Sequence, residues 1–217
     1  MAQEMGFALL GLLLMGLIAG EIFARVLPRW GYPRGAVVLR SLMLLAVGVY
    51  GGLLLAVSLT SEPKVLAHGE AKRFCGFYFD CHMAVQVDQV QRAERLGEAR
   101  SSGAFYVVGL RVSSDAREAT LQLARPEIVV VDADGRVYER SADGEAALAS
   151  VSGDPGPLVR PVAAGASFLR PIVFDLPAEV REPRLLVRDF SGVDRVLEAI
   201  LIGDEDSFLH KPVYLEL

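Results

Sequence analysis

The hydrophobic pattern divides the chain into an apolar first part and a strand-rich remainder. Residues 41–60 form an uncharged run of twenty residues, SLMLLAVGVYGGLLLAVSLT. At about 1.5 Å rise per residue, a helix of this length matches the hydrocarbon thickness of a bilayer. An earlier apolar run begins at Met5 and continues past Glu21. The pattern therefore predicts two transmembrane helices, at about 5–27 and 37–60.

A basic turn separates the two predicted helices. Pro28 and Pro33 interrupt the helical pattern there, because proline lacks the amide hydrogen that a helix interior needs. Four arginines lie in or beside the turn: Arg25, Arg29, Arg34 and Arg40. Short loops rich in arginine stay on the cytoplasmic side of a membrane. We therefore expect both chain termini, and everything beyond residue 60, to face away from the cytoplasm.

A cleaved signal peptide is the rival explanation of the first apolar run. Signal peptides carry a basic stretch before their apolar region, and residues 1–5 contain no basic side chain. A second apolar run follows after a short turn, which favours a helical hairpin instead. No cysteine follows the first run, and this excludes a lipid-anchored lipoprotein.

Small residues recur at helical spacing in both predicted helices. A small-xxx-small spacing, which lets helix backbones approach closely, occurs at Gly16 and Gly20 and again at Gly48 and Gly52. It predicts packing of the two helices on each other, docking on another membrane protein, or both. Glu21 precedes Arg25 by one turn. It is therefore either an interfacial carboxylate beside that arginine or a buried group with a partner or a proton role.

Beyond residue 60 the pattern is that of β-strands. Apolar and less apolar residues alternate over 106–113, and residues 128–131 form a continuous apolar run that fits a buried strand. Asp134-Gly135 then supplies a hairpin turn. Residues 143–150 are a candidate short helix. Helical spacing appears over 193–201, where we expect the apolar stripe to lie on the sandwich. These signals predict a mainly-β domain over 74–217 with a short C-terminal helix, joined to the anchor by a linker over 61–73.

Charge is divided as unevenly as hydropathy. Residues 61–217 carry 18 Lys and Arg against 25 Asp and Glu, a net charge of −7, whereas residues 1–60 carry a net charge of +2. A domain this acidic is not expected to bind nucleic acid, because phosphate binding relies on clustered basic residues. Asp204, Glu205 and Asp206 form the densest acidic cluster. They are either a solvated turn or a docking surface for a basic partner.

The two cysteines, Cys75 and Cys81, are six positions apart in a segment rich in aromatic residues. If the domain faces an oxidising compartment, a disulfide between them is the first interpretation. Cys81 precedes His82 directly, which raises a metal site as the alternative. The usual ligand spacings are missing, and the spacing also excludes attachment of c-type haem. We therefore expect no cofactor and no bound metal.

Sequence motifs of catalysis are missing as well. The chain contains no Gly-x-Ser-x-Gly, zinc-protease or phosphate-loop pattern, and its three histidines are far apart in sequence. Asp132, Asp134 and Gly135 have a superficial likeness to a calcium loop, but the other ligands of such a loop are missing. We predict no catalytic residues and expect a protein that is not an enzyme.

Four features follow one another over about residues 74–189: Phe79-Asp80, a strand ending in Arg92, Gly103 before 105–108 (FYVV), and Asp134-Gly135. In this order they resemble bacterial extracytoplasmic domains of the telokin-like, immunoglobulin-type family of unknown function. The resemblance implies an immunoglobulin-like β-sandwich with a binding or scaffolding role and no catalytic residues. The fold expected for the whole chain is an N-terminal transmembrane α-helical hairpin followed by this mainly-β sandwich.

These expectations lead to one function and one alternative. The first is a non-catalytic accessory or scaffolding subunit of a larger complex in the bacterial inner membrane, with the soluble domain and both termini in the periplasm. Its partners would be the lipid bilayer, other integral membrane subunits and an extracytoplasmic protein. An electron-transport complex, respiratory or photosynthetic, is one candidate host. The alternative is a membrane-anchored periplasmic sensor or ligand-binding module.

Overall fold

The computed structural model describes residues 2–74, 82–189, 194–204 and 206–217. The chain divides into two compact units, and each consists of two stretches of sequence. The helical unit comprises Met1–Glu62 and Arg195–Pro212, and the β unit comprises Pro63–Asp194 and Val213–Leu217.

The helical unit is built on two long helices, α1 (Ala2–Val26) and α2 (Pro33–Thr60), separated by a 3₁₀ turn at Leu27–Trp30. Pro28 is the second residue of the 3₁₀ turn and Pro33 is the first residue of α2, where a missing amide hydrogen costs nothing. Gly31 has a φ of 87°, a left-handed conformation that suits glycine. Both helices are long and apolar enough to cross a membrane, which is consistent with a membrane anchor.

The β unit is a mostly-β sandwich of two sheets. Nine strands are described: β1 (Lys64–Leu66), β2 (Lys72–Phe74), β3 (Met83–Leu96), β4 (Ala99–Ser114), β5 (Pro126–Val131), β6 (Val137–Tyr138), β7 (Ser167–Leu176), β8 (Arg184–Asp189) and β9 (Val213–Glu216). One sheet has the order β1-β9-β8-β5-β6 and the other the order β2-β3-β4-β7. Neighbouring strands are antiparallel except β1 and β9, which run parallel.

The core of the sandwich follows the predicted alternation. In β4, every second side chain from Tyr106 to Val112 is buried and joins a cluster with Ile128 and Val130 of the opposite sheet. Three consecutive residues of β5 are buried, as expected for a strand covered on both faces. Burial of each large apolar side chain stabilises the fold by about 1.5–3 kcal/mol, so the two inner faces hold the sheets together.

The connection from β5 to β6 is the predicted hairpin. Gly135 has a φ of 79°, and the Asp132 carboxylate accepts hydrogen bonds from the amides of Asp134 and Arg136 and from the Tyr138 hydroxyl, at 2.9–3.0 Å. Burial raises the pKa of Asp132, but these hydrogen bonds outweigh it and hold the pKa below its usual range. The carboxylate thus holds the turn, which explains this acid without a calcium ion.

A third helix, α3 (Ala142–Ser152), confirms the short helix expected at 143–150. Ser141 caps its N-terminus by accepting a hydrogen bond from the Gly144 amide at 3.0 Å, and Gly153 with a φ of 85° ends it. A side-chain cap of this kind satisfies one of the amides that a helix leaves unpaired at its first turn.

The chain organisation differs from the prediction in two places. The segment expected to be a linker, residues 61–73, contains β1 and the start of β2. The amphipathic stretch expected on the sandwich contains α4 (Asp194–Ala199), and from Arg195 onward it belongs to the helical unit. An apolar stripe shows which face of a helix is buried but not which surface covers it. β9 then returns the chain to the β unit, where it pairs with β1 and β8.

Candidate functional site

The outer surface of the two long helices is apolar and exposed to the surroundings. Most of the residues along α1 and α2 are exposed, among them Leu12, Ile18, Leu44 and Leu59. Apolar patches of this extent are rare on the water-facing surface of soluble monomers. A groove of about 250 Å³ also lies between the two helices, lined by Leu12, Leu13, Gly16, Leu17, Leu42, Met43 and Ala46.

The four predicted packing glycines have different surroundings. A β-carbon at Gly20 would lie 2.7 Å from the Met43 sulfur, so this glycine allows the close approach of α1 and α2. Around Gly16, Gly48 and Gly52, no described atom lies within 4 Å of the same position. Gly16 lines the groove, and the other two present bare backbone at the surface. The spacing alone did not distinguish the glycine at the helix contact from those that face outward.

A charged cluster joins the two helices near the turn. Arg25 donates to a Glu21 carboxylate oxygen at 2.9 Å, and Arg40 donates to both oxygens of the same carboxylate at 3.0 and 3.2 Å. The sequence indicated Arg25 as a partner of Glu21 but not Arg40, which is nineteen positions away. Arg29 and Arg34 are exposed at the turn. Glu21 therefore pairs with basic groups of both helices.

The described part of residues 195–212, here called the C-terminal segment, is bonded to α2 along its length. The Tyr50 hydroxyl donates to the Ile200 carbonyl at 2.8 Å, and the hydroxyls of Ser58 and Ser207 lie 3.3 Å apart. Closer to the end of α2, the Lys211 amide donates to the Ser61 hydroxyl at 2.8 Å.

The same segment also touches α1. The Ile202 carbonyl lies so close to Gly6 that a β-carbon there would have no room. Sequence reasoning missed the packing of the C-terminal segment on the helices, although Tyr50 and Ser58 of α2 carried a signal for it. Each is a polar residue within an apolar run, and a hydroxyl in such a place usually has a hydrogen-bond partner.

The predicted acidic docking surface is only partly present in this segment. Asp204 is buried, and its carboxylate accepts a hydrogen bond from the Asp206 amide at 2.9 Å. Its backbone carbonyl also accepts the Ser207 amide at 3.2 Å. Asp204 is therefore a buried residue of a turn. Asp206 is half-buried, and Glu205 lies outside the described residues.

Apolar side chains, in contrast, project from the C-terminal segment. Val196 is 65% exposed, Phe208 58% and Leu209 51%. Leu209 has a φ of 65°, a left-handed conformation that is uncommon for any residue other than glycine. The segment thus presents apolar groups on both sides of the acidic cluster in the sequence.

The β unit contains a second concave region, a cleft of about 330 Å³ lined by Glu127, Ile128, Val129, Glu139, Arg140, Ala142 and Glu145. Arg140 donates to both oxygens of Glu145 at 2.7 and 2.8 Å, and Arg170 donates to one of them at 3.0 Å. Burial raises the pKa of Glu145, but the two guanidinium groups outweigh it and hold the pKa below its usual range. Glu145 is therefore held in ion pairs with both arginines.

The predicted cysteine site cannot be placed, because Cys75 and Cys81 lie outside the described residues. Their neighbour His82 approaches Asp115 at 2.6 Å, and Asp115 also accepts from Arg73. The hydrogen bond from Arg73, followed by that from His82, holds the pKa of Asp115 below its usual range. Within the described ranges, no three His, Cys, Asp or Glu side chains come together as ligands for a metal ion.

Comparisons with known proteins give remote structural likenesses. No family model matches the chain, and no curated protein matches it. A conserved hypothetical protein from Bacillus anthracis is 15% identical, with a TM-score of 0.41, over 56% of this chain and 88% of its own. The yjhA protein from Bacillus subtilis is 12% identical, with a TM-score of 0.44, over 70% and 98%. The secreted protein MPT63 from Mycobacterium tuberculosis is 10% identical, with a TM-score of 0.42, over 73% and 100%.

Proposed function

We propose that the protein is a non-catalytic accessory subunit of a larger complex in the bacterial inner membrane. In this proposal α1 and α2 cross the membrane as a hairpin, and the immunoglobulin-like β unit faces the periplasm and contacts an extracytoplasmic partner. The observation that carries the proposal is the exposed apolar surface of the two helices. In water such a surface would be strongly unfavourable, whereas acyl chains or neighbouring helices would cover it.

The charges support the orientation in this proposal. Arg29 and Arg34 are exposed at the turn, and Arg25 and Arg40 hold Glu21 close to it. Positive charge collects on the cytoplasmic side of membrane proteins, so the turn would be cytoplasmic. The opposite ends of α1 and α2, with the β unit, would then be periplasmic.

The helix surface also supports docking on another membrane subunit. Gly16, Gly48 and Gly52 do not serve the contact between α1 and α2 in the described structure. Small residues that face outward from a membrane helix allow a neighbouring helix to approach closely. The groove beside Gly16 would accept large side chains of such a neighbour.

The test is extraction in a mild detergent followed by native mass measurement of the intact assembly. We expect a mass larger than that of the 23.5 kDa chain, made up by additional subunits, and co-purified haem or pigment would indicate an electron-transport host. Gly16→Leu should reduce the amount of partner because it fills the groove. Gly11→Leu is the matched control, since its β-carbon likewise has no described atom within 4 Å but lies outside the groove. A lone monomer under the mildest conditions would refute the proposal.

The second candidate function is a periplasmic sensor or ligand-binding module. The cleft beside Arg140 and Glu139 favours it, because it combines a concave surface with charged groups. The same measurement separates the two functions. A monomer that carries the extra mass of a small molecule would support the sensor and contradict the subunit.

A further inference from the structure

Part of the C-terminal segment lies alongside α2 at a point before the helix ends at Thr60. Tyr50 precedes Thr60 by ten residues, so it lies about 15 Å from that end of α2 along the helix axis. Its hydroxyl nevertheless reaches the Ile200 carbonyl. Ser58 and Ser61, near the end of α2, bond to Ser207 and Lys211. The segment therefore runs along α2, from the level of Ser61 at Lys211 to the level of Tyr50 at Ile200.

The contact with α1 locates a second point of the segment, closer to the end of α2. Gly20 meets Met43, and Gly6 lies fourteen residues before Gly20, or about 21 Å along α1. The same distance along the antiparallel α2 leads from Met43 to about Val57, about 5 Å from the end at Thr60. Because the Ile202 carbonyl touches Gly6, this part of the segment lies within the apolar length of both helices.

The side chains of the segment suit this depth. Val196, Phe208 and Leu209 are exposed, and Ile200 is exposed to a smaller extent. Amphipathic elements that lie in a membrane interface bury their apolar face about 5–10 Å into the boundary between headgroups and acyl chains. The depth derived from Gly6 and Tyr50 covers this range. Lys211 is exposed next to the apolar group, at the level of Ser61, where a basic side chain can reach lipid phosphates.

We propose that the C-terminal segment is a second membrane element, which lies in the periplasmic leaflet with Val196, Ile200, Phe208 and Leu209 among the outer parts of the acyl chains. The partner is lipid, because these exposed apolar groups belong to a segment that is bonded to the apolar helix α2 and touches α1. This inference rests on the proposed membrane insertion of the hairpin. It adds a third attachment, made by a part of the chain more than 130 residues beyond α2.

Tryptophan fluorescence in vesicles containing brominated phosphatidylcholine tests the depth. The full chain contains one tryptophan, Trp30, which is the last residue of the 3₁₀ turn, and bromine quenches a tryptophan only at close range. In the Trp30→Phe background, Phe208→Trp should lose at least about half of its emission to lipid brominated near the headgroup end of the acyl chains. Lipid brominated near the chain end should quench it less. Val196→Trp provides a second position, in case the first variant fails to fold.

Two controls separate this inference from the proposed anchor. Val137→Trp lies on the β unit, is 60% exposed, and should keep its emission in all vesicles. The parent protein reports on the hairpin through Trp30, which should be quenched if the anchor inserts. The inference would be refuted if Trp30 is quenched by the brominated lipid while the tryptophans at 208 and 196 keep their full emission and are quenched by aqueous iodide. This result would leave the proposed anchor intact. No quenching of Trp30 would refute both.

Discussion

The ion pair between Glu145 and Arg170 should be essential to the stability of the β unit. The two side chains are only 15% and 10% exposed, and their charged atoms lie 3.0 Å apart. At this distance and an effective dielectric constant of about 20, the gross attraction is about 5 kcal/mol. Glu145→Gln removes the negative charge and leaves Arg170 buried. Among the described residues, the Nε of Arg170 already has no hydrogen-bond partner. We therefore expect the free energy of unfolding to fall by about 3–5 kcal/mol.

The loss can be measured on the full chain in detergent by pulse proteolysis across a urea series, which reports the fraction of unfolded β unit. Glu127→Gln is the matched control. Its partner Arg188 lies 3.9 Å away, and the two side chains are 47% and 39% exposed, so the loss should be below about 1 kcal/mol. A combined Glu145→Leu and Arg170→Met variant should be more stable than Glu145→Gln, because no charge is left buried. Equal losses for Glu145→Gln and Glu127→Gln would refute the reasoning.

The ion pair also predicts a dependence on pH. The folded-state pKa of Glu145 is lowered, so the folded protein binds fewer protons than the unfolded chain near that pKa. Its contribution to stability is complete above the pKa of an unfolded glutamate and is lost as the pH falls through the lowered folded value. The urea midpoint of the parent protein should therefore fall more steeply in acid than that of Glu145→Gln. Parallel pH profiles would contradict this.

Three further predictions concern other parts of the chain. Gly103→Ala should lower the free energy of unfolding by about 1–3 kcal/mol, because the new β-carbon would lie 2.5 Å from two backbone atoms. Gly109→Ala should lower it less, because its β-carbon would meet the flexible side chain of Gln89. Equal urea midpoints for the two would contradict the geometry. Asp132→Asn should make the free energy of unfolding less sensitive to acid. The pKa of Asp132 is lowered in the folded protein, so the stability that its charge contributes is lost as the pH falls through that pKa. An unchanged pH profile would show that the hairpin does not depend on the charge. Cys75 and Cys81 should react with a membrane-impermeant thiol reagent in intact spheroplasts only after reduction. Reaction only after lysis would place the two cysteines in the cytoplasm. Reaction without reduction would show that they are free thiols.

The features predicted correctly depend on residues that are close together in the sequence. The two helices followed from long apolar runs, and the break between them from Pro28 and Pro33. The buried face of β4 followed from its period of two, and the β5–β6 hairpin from Asp134-Gly135. In each case the side chains and the backbone preference that produce the element lie within the element itself.

The candidate site was less predictable, because it depends on contacts between distant parts of the chain. The glycine spacing identified Gly20 and Gly48 equally, although only Gly20 lies at a helix contact. The acidic cluster suggested a charged surface, but Asp204 is buried within a turn. Neither outcome can be derived from spacing, because each depends on which surface the rest of the chain brings alongside.

The sequence by itself determined the apolar helix pair, the distribution of its arginines and the mainly-β character of the remainder, because hydropathy, charge and strand period are local properties. Only the tertiary structure decided that residues 195–212 belong with the helices and that β9 pairs with β1. The physical reason is the same in both cases. A hydroxyl such as that of Tyr50, or an unpaired strand edge such as that of β1, requires a hydrogen-bond partner, but its own neighbourhood does not specify which distant residues supply it.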